Sequence, residues 1–456
     1  MTTTAPVPYN VDVSAKAWTD RYTVDQQTLL TNQTRLAASV TKGLGTLKTA
    51  ISAYQSSLNA LTTRKSMLAQ AATFSNTAVG SATASATAAT GTYSFFVERL
   101  ASTNQISLGG LAGNVGASGT LTISQTGGLN GFTVDLSSAD TDGAAGLSPK
   151  EIAAAINAAP HDSTMATASV ITIGGNEQLV ITSGKGGSAG ALTLTASDPA
   201  NAALQAPPQQ LVAAQDAIIW LGAQTTGTKI EQGSNTFTGI SGVSMSFTKA
   251  QAPGEAAFTM SVGLDTTATA ANAQAFIDSY NKLKSTLDDL STPGDPQKGI
   301  AAGPLAEDSG VRSLRDQMIR TLRENSVGAL ATYGISATRG GLLALDSTRL
   351  TNALKVNPGG LDTALGSNSI IAPSGVVGKL DKYLDTWSNT GTGQLAQRQA
   401  SADKAQATLT KRQTAFEANY VATYNRYKAQ FTKLNQLQAQ MASNTDLFDS
   451  LFGSKN

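Results

Sequence analysis

Cysteine is absent from all 456 residues. Disulfide staples, thiolate metal sites and a cysteine nucleophile are thereby excluded. The absence also suits a protein that leaves the reducing cytoplasm and must not cross-link. There is one histidine, His161, so no histidine cluster can hold a metal; beside Asp162 in a loop-like stretch it reads as an exposed side chain. Aromatic residues make up 5% of the chain and charged residues 14%, and the charges nearly cancel at +1. With no basic excess to neutralise phosphates, nucleic acid is not expected as a partner. Long apolar runs are missing too. The most apolar short stretch, AIIWLG at 217–222, falls far short of the ~20 residues of a membrane helix. The first 30 residues have no basic start followed by an apolar run. Neither membrane insertion nor a cleaved secretory signal is therefore expected.

Catalytic patterns are also lacking. No G-x-x-x-x-G-K-[ST], G-x-G-x-x-G or G-x-S-x-G occurs, and the glycines from Gly184 to Gly190 read as a turn between strands. Asp140 and Asp142 before Gly143 begin like a calcium loop, but the later oxygen ligands do not follow. Adjacent Asp288 and Asp289 point to different faces of a helix and cannot act as a pair. No catalytic, cofactor-binding or metal-binding residue is assigned, and the chain is not read as an enzyme.

What the chain does have is a pair of helical heptad patterns, one near each end. Val40, Leu47, Tyr54, Leu61 and Leu68 fall seven apart, with Leu44, Ile51 and Leu58 as a second row. Near the end, Leu395, Ala402, Leu409 and Phe416 repeat by seven, and Tyr420, Tyr424, Tyr427, Phe431, Leu434 and Met441 continue at steps of four and three. Such spacing lays one apolar seam along each helix, and a seam needs a partner helix. If the two ends pair, the middle is carried as a head on a helical stalk. The steps of four from Phe416 to Tyr420 to Tyr424 are a stutter that locally unwinds a left-handed supercoil. Aromatics concentrated there suit an interface between molecules. Val40, Leu47, Ile51, Tyr54, Leu58, Phe416, Tyr420, Tyr424, Tyr427, Phe431 and Leu434 are the expected helix-pairing and assembly residues.

Between the ends the texture is β. Residues 1–35, with Pro6 and Pro8, are expected to be a flexible segment, and Gly43 and Gly45 predict a bend or break. The Ala/Thr/Ser/Gly stretch 76–92 reads as an extended connector. Short strands recur from Gly110 to Ala196, interrupted by one helix that Ser148, Pro149 and Glu151 open as a capping box. Val243-Met245-Phe247 and Phe258-Met260-Val262-Leu264 alternate as strands, and helices resume near Thr266. The expected fold is α+β and multidomain, a terminal helical coiled-coil or bundle leg with two nested β-rich head domains inserted. The leg comprises 36–75 with 266–456, coiled-coil-like over 395–441. One head domain is 76–109 with 211–265. The other is an inserted α+β domain, 110–210.

Several ordered motifs resemble the bacterial flagellar filament-capping family, hook-associated protein 2, from about residue 36 onward. They include SNTAVGSATASATAATGTYSFFVERLA followed by Ser102-Thr103-Asn104-Gln105, AQDAIIWLGA (214–223), SNTFTGISGVSMSF (234–247), FIDSYNKL (276–283), GPLAEDSGVRSLRDQM (303–318) and YGISATRGGLLALDSTRLTNAL (333–354). The tail from Tyr424 through Met441 also fits. Residues 118–194 resemble the repeat shared among flagellin and hook-associated proteins. The opening MTTTAPVPYNVDVSAKAW departs from the short apolar, glycine-containing start usual in the family. The resemblance implies a cap at the distal end of the filament, a ring-like homo-oligomer that helps exported flagellin fold and insert. It further implies export through the flagellar channel to an extracellular position, an export chaperone as a partner, and no cofactor. A hook–filament junction protein, a flagellin-like subunit, or an adhesin role for the head domains are the alternatives.

Overall fold

The computed structural model describes residues 10–126, 131–160, 165–367 and 373–452, the side chains of 324–328 and 452 excepted. His161 and Asp162 lie outside the described residues, as do residues 1–9 with both early prolines. Packing divides the chain into two units, one running through Thr63 and resuming at Ala270, the other spanning Arg64–Thr269.

In chain order the elements begin with α1 (Val11–Thr63), β1 (Ala69–Phe74), β2 (Gly80–Ala84), β3 (Gly91–Arg99), β4 (Thr103–Leu108), β5 (Thr120–Gln125) and β6 (Gly131–Asp135). They continue with α2 (Pro149–Ala158), β7 (Ala166–Ile173), β8 (Asn176–Gly186), β9 (Leu192–Ala196), β10 (Gln209–Val212) and β11 (Ala217–Leu221). Then come β12 (Thr228–Gln232), β13 (Thr236–Phe237), β14 (Val243–Phe247), β15 (Phe258–Asp265), α3 (Thr266–Ser291) and α4 (Ser309–Thr332). Last are β16 (Ile335–Ala337), β17 (Leu343–Leu345), α5 (Ser347–Val356), α6 (Gly359–Leu365), α7 (Gly375–Ser388) and α8 (Gln394–Phe452).

The β unit holds two cores. In the first, the sheet β1-β15-β3-β11-β12 and the smaller sheet β13-β14-β2 bury Phe74, Phe95, Phe247 and Phe258 between them. Phe74 and Phe258 approach to 4.9 Å between ring centroids. In the second, the sheets β10-β4-β8-β7 and β6-β5-β9 share a core with α2, built on Leu121, Ile123, Val134, Ile152, Ile156, Leu179 and Ile181. Ser148 caps α2 with Pro149 in its first turn and Glu151 reaching back, as the sequence predicts. The two cores meet where only glycine fits. A Cβ on Gly187, whose φ is +81°, would lie 2.3 Å from the Gly233 backbone, and Asp216 locks the spot by accepting from the Ser188 amide and hydroxyl at 2.9 and 2.6 Å.

The helical unit is a bundle in which α1 packs on α7 and α8, and α7 packs on α4, α6 and α8. Leu44, Leu47, Ile51, Tyr54 and Leu58 of α1 are buried with Phe276, Tyr280 and Leu283 of α3, and the Tyr54 and Tyr280 rings meet edge-on at 6.4 Å. Arg398, one turn into α8, stacks on Trp387 and clamps Asp308, the N-cap of α4, through bonds of 2.7 and 3.1 Å. Burial raises the Asp308 carboxyl, but its bonds from Arg398 and the Val311 and Gly310 amides outweigh that and hold it below its ordinary value.

Several expectations are corrected. Residues 10–35 are not a loose segment: α1 begins at Val11, its first turn capped by Asn10, because α8 supplies a partner surface that the sequence of α1 alone does not announce. The last helix is not confined to the expected 395–441: α8 runs 59 residues, and α1 runs 53. α1 ends at Thr63, and Ala69–Phe74, placed in the leg by sequence, is strand β1 paired with β15. The stretch 76–92 is not a plain connector, since Gly80–Ala84 forms β2 against β14; and β4, assigned by sequence to the surrounding domain, pairs in the sheet of the inserted one with β10, which the expected boundary at 210 cuts in two.

The glycines of α1 do not break it. Gly43 is buried because the Pro304 ring sits where its side chain would be, a Cβ meeting Pro304 at 3.0 Å, whereas nothing lies within 4 Å of a Cβ on Gly45. Gly45→Ala is expected to raise stability by about 0.5–1 kcal/mol. Gly43→Leu, forced against Pro304, should lower it by about 1–3 kcal/mol. Urea denaturation midpoints of the two variants check both signs.

Candidate assembly site

The expected interface residues divide into two groups. Leu47, Ile51, Tyr54 and Leu58 are fully buried inside the bundle of a single chain, each worth about 1.5–3 kcal/mol of transfer free energy, so they are core. Val40 is half-buried. Phe416 is buried, Tyr420, Tyr424, Tyr427 and Phe431 are half-buried, and Leu434 is exposed. Within this second group Tyr420, Tyr424 and Tyr427 meet α1, at Asp20, Asp12 and Trp18.

The pairing of α1 with α8 is antiparallel, since Gln33 meets Arg412, Asp20 meets Tyr420 and Asp12 meets Tyr424 and Lys428. Its first half has an unusual division of sizes. The α1 residues turned inward are Ala15, Thr19 and Thr23, at steps of four, and the hydroxyls of Thr19 and Thr23 bond back to Ala15 and Thr19 carbonyls at 2.7 and 2.8 Å. Facing them, α8 offers Phe416, Tyr420 and Tyr424, also at steps of four. Small residues on one helix thus make room for rings on the other, and the stutter on α8 is matched by a run of equal period on α1. The tyrosine hydroxyls reach across: Tyr420 donates to Asp20 at 2.5 Å and Tyr424 to Asp12 at 2.7 Å.

Sequence reasoning missed the outward side of α1. Trp18, Tyr22, Leu29 and Leu36 are 55–66% exposed. Their steps of four, seven and seven were available as a signal inside a stretch read as flexible. Trp18 lies 6.1 Å from Tyr427, and the Arg426 guanidinium sits over Tyr22 and Tyr427 at 5.7 and 5.1 Å.

Elsewhere, Asp140, Asp142 and Glu151 bring carboxylate oxygens together. Glu151 accepts from the Ser148 and Thr141 amides and hydroxyls, which pull its pKa down to about 2. Asp140 and Asp142 accept from the Gly143 and Ala144 amides, so the cluster works as a turn and a helix cap. Among the described residues, no helix is long and apolar enough to cross a membrane.

Comparison with known proteins places this helical pairing in context. A family model described as the flagellar hook-associated protein 2 C-terminus matches residues 214–443, and its N-terminal counterpart matches 10–104. The chain belongs to the flagellar hook-associated protein 2 family. The N-terminal match starts at residue 10, so of the opening that departs from the family's usual start residues 10–18 fall within it and residues 1–9 do not. The lateral flagellar hook-associated protein 2 of Vibrio parahaemolyticus is 32% identical, over 80% of this chain and 82% of its own length. The B-type flagellar hook-associated protein 2 of Pseudomonas aeruginosa is 27% identical, over 91% and 90%. The crystal structure of the D1–D2–D3 domains of the Escherichia coli flagellar cap protein superposes with a TM-score of 0.61 at 25% identity, covering 80% of this chain and 99% of that one.

The polar bonds of the terminal pairing set its pH range. Asp12 lies below its ordinary 3.8, through bonds from Lys428 and then Tyr424, and Asp20 likewise through Lys16 and then Tyr420. Their contribution is present above 3.8 and lost as pH falls below it. Tyr420 and Tyr424 lie above their ordinary 10.0, chiefly because they bond Asp20 and Asp12, so their contribution is lost as pH rises past 10. The helical circular dichroism of the terminal pairing should hold between these limits and shrink on both sides, and Tyr420→Phe with Tyr424→Phe should flatten the alkaline limb.

Proposed function

We propose that this chain is a structural cap at the distal end of the bacterial flagellar filament. It acts as a ring-like homo-oligomer that promotes folding and insertion of exported flagellin. Its place is extracellular, at the filament tip, and its partners are other copies of itself, flagellin and a flagellar export chaperone. The observation that carries this reading is the match of both family models to a chain whose two ends pair as one antiparallel couple of long helices. The chemistry agrees: a ring must present surfaces that bury without stranding charge, and this chain is low in charge and free of cysteine. No role in turnover is part of the reading.

A strain lacking its own filament cap secretes unpolymerised flagellin under this account, and expression of the chain should restore filaments. Negative-stain images of the purified chain should show small closed rings. Long fibres would instead make it a flagellin-like subunit, and a failure to restore filaments despite secretion would contradict capping.

A further inference from the structure

Among the described residues, the two cores of the β unit have no buried side chain in common: the cluster around Phe74, Phe95 and Phe258 and the cluster around Leu121, Ile152 and Ile181 are separate sets. The chain passes between them twice, from β3 to β4 and from β10 to β11. Two bodies joined in this way move relative to one another unless a large apolar interface stops them. Here the joint is narrow and polar.

Each crossing changes hands within a few residues. On the outgoing strand Ala101 is gripped from the first core, its amide donating to Asn235 Oδ1 at 2.7 Å and its carbonyl accepting from Asn235 Nδ2 at 2.9 Å. Three residues on, Asn104 belongs to the second core: its Nδ2 donates to the Val212 carbonyl and its Oδ1 accepts from the Leu192 amide, both at 2.9 Å. Ser102 and Thr103 lie between these clamps, and residues 213–215 lie between Val212 and Asp216 on the return. Ser102 ties the two crossings together, its amide donating to the Gln215 carbonyl at 3.0 Å and its hydroxyl to the Ala213 carbonyl at 2.6 Å. Short segments at the ends of elements are where a hinge absorbs its change in φ and ψ.

A second contact fastens the joint. Gly186 and Gly187, where β8 ends, lie so close to Gly233 of the first core that a Cβ on either would sit 2.6 or 2.3 Å from its backbone. Asp216, whose carbonyl accepts from Arg99 Nε at 3.0 Å, also accepts from the Ser188 amide and hydroxyl through its carboxylate. Bonds to an ionised acceptor are roughly twice as strong as neutral ones. Beside this fastening an open cleft of about 620 Å³ separates the cores, with Gln125, Met165 and Lys185 on one wall and Ser234 and Asn235 on the other. Gly186 and Gly233 line it too, so the fastening spans from wall to wall.

We infer that the second core is a hinged module, turning about Ser102–Thr103 and residues 213–215 and latched by the Ser188–Asp216 bonds and the seating of Gly187 on Gly233. Releasing the latch lets the cleft walls part without uncovering either apolar core, so the movement requires no unfolding. Glycine at 187 is what allows the latch to close, since a side chain at φ +81° could not seat there. The inference concerns a single chain and is independent of the capping reading; within an assembly, such a module adjusts to a neighbour while both cores stay intact.

A chain free of cysteine takes paired nitroxide labels cleanly. Ile173→Cys on β7 with Thr228→Cys on β12 spans the joint, and Ile173→Cys with Thr193→Cys on β9 lies within the second core; all three positions are exposed. With the latch intact, electron–electron double resonance should give one narrow distance for each pair. Asp216→Ala with Ser188→Ala should add a second distance for the spanning pair, and Gly187→Ala should make that second distance the main one. In both variants the pair within the second core should keep its single distance, with circular dichroism unchanged. A spanning distance that stays single and unmoved in both variants overturns the inference. So does a within-core distance that broadens along with it, because the junction would then be part of the second core's own fold. A spanning distance already broad with the latch intact overturns it as well, by showing that the latch does not hold. Each of these results leaves the capping reading untouched.

Discussion

The helical unit depends on the antiparallel contact between α1 and α8, the first and last helices of the chain. Neither helix is apolar enough along its whole length to be stable alone, and helices in folded proteins gain most of their stability from packing one face. In the bundle half, α1 buries large aliphatic and aromatic side chains. In the free half it offers alanine and threonine, and α8 answers with phenylalanine and tyrosine. Changing the small residues to large ones would push the rings out of register as surely as removing the rings would leave the small residues uncovered. The Arg398 clamp on Asp308 and Trp387 fixes where α8 starts, and so the register of everything after it.

Closing the two ends of a chain on each other makes a domain out of segments separated by more than two hundred residues. The β unit is inserted between them, and its own second core is inserted again between β3 and β11. At that inner junction the backbone approach of Gly187 to Gly233 and the Asp216–Ser188 bonds take the place of a side-chain interface.

Much of this was legible in the residues. The heptads named the buried face of α1 from Val40 to Leu58. Strict alternation marked β14 and β15, and the Ser148–Glu151 box marked the start of α2. What escaped did so for one physical reason: its cause lies elsewhere in the fold. Residues 10–35 carry no leucine-rich seam because their partner supplies the bulk. β2 alternates alanine with serine and threonine, a pattern too weakly apolar to register as a strand until β14 is beside it. Gly43 looked like a helix breaker and is instead a seat for Pro304. The placement of β4 and β10 is decided by which core their side chains join, which spacing alone does not encode.

The central claim is that the two ends of the free chain lie together as one antiparallel pair before any assembly. Nitroxide labels at Gln33→Cys and Arg412→Cys, in a chain with no other thiol, read this by electron–electron double resonance on the monomer. Packed helices lie 8–10 Å apart, so a single narrow distance of about 10–20 Å is the expected result. A broad distribution centred well beyond that range would show the ends apart and contradict the account.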